Sequence, residues 1–287
     1  MVTTDAGSRG RMIVTGVGLA VFVLAYGWFL VTGTTEIRSS ADPGAPGESL
    51  WAALLPALAV MAPARLIPSA TAPSQPLTGL PRSRLRRETW LLVAAAVVFA
   101  LLVAGRARGD WYPLLKVLLL LALPLVMFRL SRGGGPRARA IPRPAAWLAP
   151  LPAVAAWFVL TEIGPFAPPL TQALPDPVTL AITSLVTLLT ASVLEEIFYR
   201  GWLQTRLEVL YGRWPAITFS ALLFAAMHAT RVDLTDPVPG LASIVAVQGV
   251  FGLMTGYLWA CYRNIWIPIL IHVVSNLVYV DLLLDGI

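Results

Sequence analysis

Residues 178–200 of this chain have the sequence VTLAITSLVTLLTASVLEEIFYR. The apolar part, from Val178 to Leu194, is long enough to cross a bilayer as a helix, which takes about 17 to 25 residues. Glu195 and Glu196 close this run, and apolar residues continue beyond them. A carboxylate inside a membrane is costly unless it is paired, so it indicates a functional site. The stretch therefore predicts a membrane-spanning helix that carries two functional glutamates.

The composition of the whole chain is that of an integral membrane protein. Of its 287 residues, 57% are hydrophobic and 13% are charged, with a mean hydropathy of +0.74, whereas a soluble domain has about 25% charged residues. These values exclude a soluble enzyme, and the single cysteine, Cys261, excludes an internal disulfide framework. The net charge of +6 comes from arginines between apolar stretches. It indicates membrane topology and no nucleic-acid partner.

Apolar runs of suitable length predict the membrane-spanning helices. Nine such runs cover residues 12–32, 50–68, 89–105, 111–128, 145–160, 178–197, 215–230, 241–262 and 265–284. The second run contains Arg65 and the fifth is rich in proline. The sequence thus predicts an all-α, polytopic membrane protein of about eight or nine transmembrane helices.

Charges in the connections predict the orientation in the membrane. Arginines concentrate near the N-terminus, in the connections 69–88 and 129–144, and after the sixth run. Because an excess of Lys and Arg marks the cytoplasmic side, we expect a multi-pass protein of the cell membrane with a cytoplasmic N-terminus. The bias toward arginine and alanine favours a bacterial inner membrane. Both connections are rich in Pro, Gly or Ser and are predicted to be flexible linkers.

The second of these linkers divides the chain into two predicted portions. Residues 1–144 are interpreted as an N-terminal transmembrane region of about four helices with basic cytoplasmic linkers. Residues 145–287 are interpreted as the portion that carries chemistry, because the glutamates and both histidines lie there. The remaining acidic residues lie in connections, at the ends of apolar runs or in the tails.

Both histidines of the chain, His228 and His272, lie in predicted spans. Either one alone is more often a hydrogen-bonded packing residue. Glu195 lies 17 residues before Gly212 and His228 lies 16 after it, so a helical hairpin turning at Gly212 would place them at one depth. His272 follows Asn264 by eight residues. We therefore expect the glutamates and both histidines to meet in the cytoplasmic half of the bilayer.

Two pairs of polar residues have the i, i+4 spacing that places side chains on one face of a helix. Glu196 and Arg200 form the first pair, which predicts an ion pair that holds Glu196 and leaves Glu195 to face a cavity. His272 and Asn276 form the second pair. An amide donor beside a histidine suits the stabilisation of an oxyanion.

Three motifs on successive helices resemble those of the CPBP family, the CAAX prenyl endopeptidases and bacteriocin-processing (Abi) proteins. They are Glu195-Glu196-x-x-x-Arg200, Phe224-x-x-x-His228 and His272-x-x-x-Asn276. The stretch Gly252-Leu-Met-Thr-Gly256 is similar to the small-residue helix of that family and would permit close helix packing. The resemblance covers about residues 178 to 280 and does not extend to the first four spans.

The resemblance implies a CPBP-type helical core and an intramembrane endopeptidase whose substrate is a membrane protein or peptide. Glu195 would be the general base, assisted by His228, and His272 with Asn276 would bind the oxyanion. Glu196 belongs to the same catalytic set, and Arg200 and Phe224 would support it. This mechanism requires no cofactor.

Two alternatives remain open at the level of the sequence. Glu195, His228 and His272 could instead be the three ligands of a catalytic zinc ion, although no His-Glu-x-x-His motif is present. The chain could also be a non-proteolytic scaffold or transporter that uses the Glu/His cluster structurally or as a proton relay. No residue pattern supports a serine, aspartyl or cysteine protease.

Overall fold

A computed structural model describes residues 3–37, 47–67, 75–104, 111–132, 139–144, 146–167 and 175–278. Within these ranges the chain is almost entirely helical. Its nine α-type helices are α1 (Thr3–Thr32), α2 (Leu50–Leu66), α3 (Arg82–Ala104), α4 (Trp111–Arg132), α5 (Leu151–Ile163), α6 (Pro177–Tyr211), α7 (Arg213–Ala226), α8 (Pro237–Tyr262) and α9 (Trp266–Leu277). Two short antiparallel strands, Glu36–Ile37 and Glu48–Ser49, connect α1 to α2.

Five of the described helices, α1, α3, α4, α6 and α8, are long and apolar enough to cross a membrane, and α2, α5 and α9 are shorter apolar helices. Large apolar side chains on α1 point away from the protein: Val23, Leu24 and Val31 are 70%, 71% and 87% exposed. Such a surface belongs in contact with lipid. The predicted all-α, polytopic membrane fold is confirmed, while the orientation and the bacterial origin stay predictions.

Helix boundaries differ from the prediction at several points. Helix α3 begins at Arg82 and α6 continues to Tyr211, because apolar and polar residues alternate at helical spacing beyond the purely apolar runs. The predicted linker 69–88 is therefore helical from Arg82 onward, and its residues 69–74 lie outside the described residues. The linker 129–144 begins with the end of α4, and its residues 133–138 also lie outside them. The ninth run is helical only to Leu277, and residues 279–284 are not described.

The predicted hairpin between α6 and α7 turns at Gly212. This glycine has φ +95°, a left-handed conformation that residues with a Cβ rarely adopt. A Cβ at this position would lie 3.3 Å from Cδ of Arg11 on α1. The turn therefore depends on glycine both for its backbone angle and for the close approach of α1.

Helices on both sides of residue 144 share hydrophobic clusters. Leu92 and Phe99 of α3 and Leu120 of α4 pack in one cluster with Leu203 of α6 and Phe224 of α7. All five side chains are almost fully buried. The N-terminal helices thus form one wall of the region that holds the motifs, and the proposed division at residue 144 stays a prediction.

Buried acidic residues are more numerous than the sequence indicated. Glu88 lies on α3 and is fully buried, where it accepts hydrogen bonds from Arg84 of the same helix and Arg206 of α6, both at 2.8 Å. Glu208 of α6 is buried beside Arg263. Both acids lie beyond the apolar runs, as expected, but inside helices, because α3 and α6 are longer than their apolar runs.

We expect Glu88→Ala to destabilise the protein by about 3 to 5 kcal/mol, because it leaves two guanidinium groups without their buried carboxylate. Arg84→Ala is the matched control. Glu88 keeps Arg206 in that variant, and the loss should be below about 1 kcal/mol. Thermal unfolding in detergent measures both. Equal effects of the two substitutions would contradict a bridging role for Glu88.

Candidate active site

The two adjacent glutamates lie where helix α6 changes its winding. Leu194–Glu196 is a short α-helical piece between two wider, π-helical segments, Leu188–Val193 and Ile197–Gln204. Such π-helical turns are frequent at functional sites because they redirect side chains. Glu195 and Glu196 are 1% and 0% exposed and point to different partners.

Both carboxylate oxygens of Glu196 have a close neighbour, although Oε2 accepts no hydrogen bond from the described residues. Its Oε2 lies 3.0 Å from Nε of Arg200, so the ion pair predicted from the i, i+4 spacing is confirmed. Its Oε1 lies 2.9 Å from Nδ1 of His272 on α9. Arg200 also donates to Oγ1 of Thr255 on α8, from Nε at 3.0 Å and from Nη2 at 2.7 Å. Glu196 therefore links α6 to α8 and α9.

Glu195 has a different partner, a lysine from the N-terminal half of the chain. Nζ of Lys116 on α4 donates to its Oε1 at 2.5 Å, and both side chains are buried. The ammonium also lies 4.5 Å from the ring centroid of Tyr112. The second oxygen, Oε2, is buried and accepts no hydrogen bond from any residue in the described ranges. That oxygen is the one that could receive a proton from a water molecule.

His228 lies in a tight turn directly after α7. The prediction that it sits within a membrane-spanning helix was wrong, because α7 ends at Ala226 and the His228 N–H donates to the Ala225 carbonyl at 2.9 Å. Its Nδ1 lies 3.0 Å from the carbonyl oxygen of Phe224. A carbonyl oxygen can only accept, so Nδ1 carries the proton and Nε2 presents its lone pair.

The Phe224 ring brings the three motifs together. Its centroid lies 5.2 Å from that of His228 and 6.0 Å from that of His272. Cζ of Arg200 lies 4.6 Å from the same centroid, and Tyr199 packs edge-on at 5.4 Å. A single aromatic side chain thus contacts the charged residue of the first motif and a histidine from each of the others.

Asn276 follows His272 by one turn of α9 and is half-buried. It forms an interaction of its own within the protein. Its predicted role as an oxyanion donor stays a prediction.

The glycines between the second and third motifs allow α8 to approach its neighbours closely. A Cβ on Gly252 would lie 3.0 Å from Cα of Ala221 on α7, and one on Gly256 would lie 2.8 Å from Oε1 of Gln204 on α6. Gln204 donates to the Gly256 carbonyl at 2.8 Å. The close packing expected from these small residues is confirmed.

Sequence reasoning missed Lys116. It is the only lysine of the chain and lies inside the apolar run 111–128. A cation within a membrane span is as costly as a carboxylate and indicates function for the same reason. The position of this lysine within an apolar run is a signal that the sequence alone displays. Its pairing with Glu195 depends on how α4 packs against α6.

Metal ligands were the alternative role for Glu195, His228 and His272. In the described part of the chain, no group of three or more His, Cys, Asp or Glu side chains is arranged to hold a metal ion. The three residues contact three different groups instead: the Lys116 ammonium, the Phe224 carbonyl and the Glu196 carboxylate.

Arg200→Ala should reduce the yield of folded protein, because Glu196 would remain buried without its strongest cationic partner. Arg129→Ala, at the exposed end of α4, is a matched control that removes an arginine without breaking a buried pair. Size-exclusion profiles and thermal unfolding in detergent report the difference. Normal yield and stability of Arg200→Ala would count against a structural role for this pair.

A comparison with known proteins matches the region that carries the three motifs. Residues 177–278, a little over a third of the chain, match the family model described as Type II CAAX prenyl endopeptidase Rce1-like. No curated protein and no solved structure matches the chain. All three motifs lie within the matched residues, which confirms the resemblance drawn from them. Residues 177–278 of this membrane protein thus match the Rce1-like family of type II CAAX prenyl endopeptidases.

Proposed function

We propose that this protein is an intramembrane endopeptidase that hydrolyses peptide bonds of a membrane-associated protein or peptide with a water molecule activated by Glu195 and His228. The observation that carries the proposal is the environment of Glu195: a buried carboxylate, ion-paired through Oε1, whose Oε2 accepts no hydrogen bond from the described residues. The Rce1-like family match supports the reaction class.

In the proposed reaction, Oε2 of Glu195 takes a proton from water, and the resulting hydroxide attacks the carbonyl carbon of the substrate. Nε2 of His228 is unprotonated because the Phe224 carbonyl holds the proton on Nδ1, so it can accept a hydrogen bond from the same water. The proton then passes to the nitrogen of the departing amine. The C–N bond breaks, and the two peptide fragments leave.

His272 and Asn276 are proposed to stabilise the oxyanion formed during this attack. Nδ1 of His272 is 2.9 Å from the Glu196 carboxylate, which fixes the orientation of the ring. Glu196 in turn is fixed by Arg200. In this mechanism Glu196 acts by orienting His272, while Glu195 performs the proton transfer.

The proposed mechanism is independent of a metal, so peptide cleavage should survive exhaustive chelation. A zinc enzyme would behave differently: purified protein would hold close to one zinc per chain, chelators would abolish cleavage and added Zn²⁺ or Co²⁺ would restore it. The decisive measurement is metal content by mass spectrometry on protein proven to be active. Stoichiometric zinc would overturn the metal-free mechanism and make Glu195, His228 and His272 ligands.

A scaffold or proton-relay function is the second candidate, because Glu195 joins α6 to α4 through Lys116, and Glu196 joins α6 to α9 through His272. The two functions differ in how much they require the carboxylate itself. A scaffold tolerates a neutral isostere at Glu195, whereas a protease does not.

Glu195→Gln should abolish cleavage, since the amide is isosteric but cannot take the proton. It should also lower thermal stability because the buried Lys116 ammonium loses its carboxylate, so cleavage is compared at equal amounts of folded protein. Membrane proteomes of cells with the wild type and with the variant are compared for C-terminal segments that persist. Glu162→Gln is the matched control, since Glu162 is a half-buried glutamate of α5 outside the site. Identical proteomes for wild type and Glu195→Gln would sink the protease and favour the scaffold.

A further inference from the structure

Lys116 has an environment that packing alone does not explain. It is 4% exposed, and its helix passes into a π-helical segment, Val117–Ala122, directly after it. A lysine side chain near a membrane surface usually extends its ammonium toward water. Here the ammonium is directed into the protein, onto Oε1 of Glu195 and beside the ring of Tyr112. It contacts the residue assigned as the general base.

We propose that Lys116 is a positioning residue for Glu195, and that helix α4 thereby completes the active site. Lys116 lies outside the residues that match the CAAX protease family. The N-terminal half of this chain therefore contributes to the proposed site the cation that pairs with Glu195. The inference rests on the proposed function and assigns Lys116 a part in the same reaction.

Among the charged groups near Glu195, Lys116 is the cation that pairs with it. Arg200 is within electrostatic range of Glu195, but it is engaged by Glu196 and Thr255. Tyr112 and Tyr199 are also within electrostatic range of Glu195. Lys116 is the basic residue whose side chain touches the carboxylate.

Lys116 is also close to the second residue of the proposed catalytic pair. His228 lies within electrostatic range of Lys116, of His272 and of Arg231. The Lys116 ammonium thus contacts Glu195 and also acts electrostatically on His228. A displacement of this cation would change the surroundings of both groups that act on the water.

The ion pair fixes which carboxylate oxygen faces the reaction. Since Nζ of Lys116 occupies Oε1 at 2.5 Å, rotation of the carboxylate is blocked and Oε2 stays directed away from the cation. Without the ammonium, both oxygens would be equivalent and the side chain could turn toward Tyr112 or Tyr199. Proton transfer depends on such alignment, and small misplacements of a catalytic group lower rates strongly.

The test uses the full-length protein in cells, and the probe is the set of C-terminal segments that persist with Glu195→Gln. Lys116→Gln keeps a hydrogen-bond donor but removes the charge. We expect it to slow the turnover of these segments by about 100-fold or more. Lys116→Arg keeps the charge but moves it, and it should slow turnover by about tenfold with normal thermal stability. Arg129→Gln, at the exposed end of the same helix, should have no effect.

A second measurement on purified protein reports the ion pair without reference to activity. Lys116→Gln should lower the unfolding temperature in detergent, and the double variant Lys116→Gln/Glu195→Gln should recover part of that loss because no buried charge is left unpaired. Absence of recovery would show that Lys116 and Glu195 do not form the buried ion pair on which this inference rests.

The outcomes separate this inference from the proposed function. Persisting segments with Glu195→Gln but wild-type turnover with Lys116→Gln or with Lys116→Arg would overturn the role of Lys116 alone. If Lys116→Gln fails to fold, Lys116→Arg decides by its turnover at normal stability. Absence of persisting segments with Glu195→Gln would overturn the protease function and this inference with it.

Discussion

A charged group buried in a membrane protein must find a partner, because neither lipid nor protein interior solvates an isolated charge as water does. Helix α6 carries four buried charged side chains that are paired with other parts of the protein. Its acidic and basic side chains each pair with a different element: Arg206 with α3, Glu195 with α4, Glu196 with α9, and Glu208 with Arg263 before α9. These pairs set the position of α6, and the arrangement of the neighbouring helices follows from them.

Glu195 and Glu196 are adjacent in the sequence but contact different residues. Arg200, Thr255 and His272 surround Glu196, so its carboxylate is a fixed structural element of the site. Glu195 has one ionic contact and one oxygen without a hydrogen bond from the described residues. The same residue type therefore has different surroundings at adjacent positions, and the proposed mechanism gives the two glutamates different roles for that reason.

Much of the fold follows from the sequence alone. Apolar runs of transmembrane length identify the nine helices, and the i, i+4 spacing of Glu196 and Arg200 gives their ion pair. The turn at Gly212 falls at a glycine between the sixth and seventh apolar runs. These features are local or one-dimensional: they depend on helical periodicity and on the length of a membrane span, which any single sequence displays. The family resemblance adds the reaction class, because its motifs are also read along the chain.

Tertiary structure decided the rest. The end of α7 before His228 depends on a tight turn that no apolar run marks, and the π-helical winding around Glu195 depends on packing along α6. The pairing of Lys116 with Glu195 joins residues 79 positions apart. No periodicity encodes such a contact, because it arises only when two helices pack side by side and their buried charges have to neutralise each other. The sequence determined which residues are costly to bury, and the fold determined which of them meet.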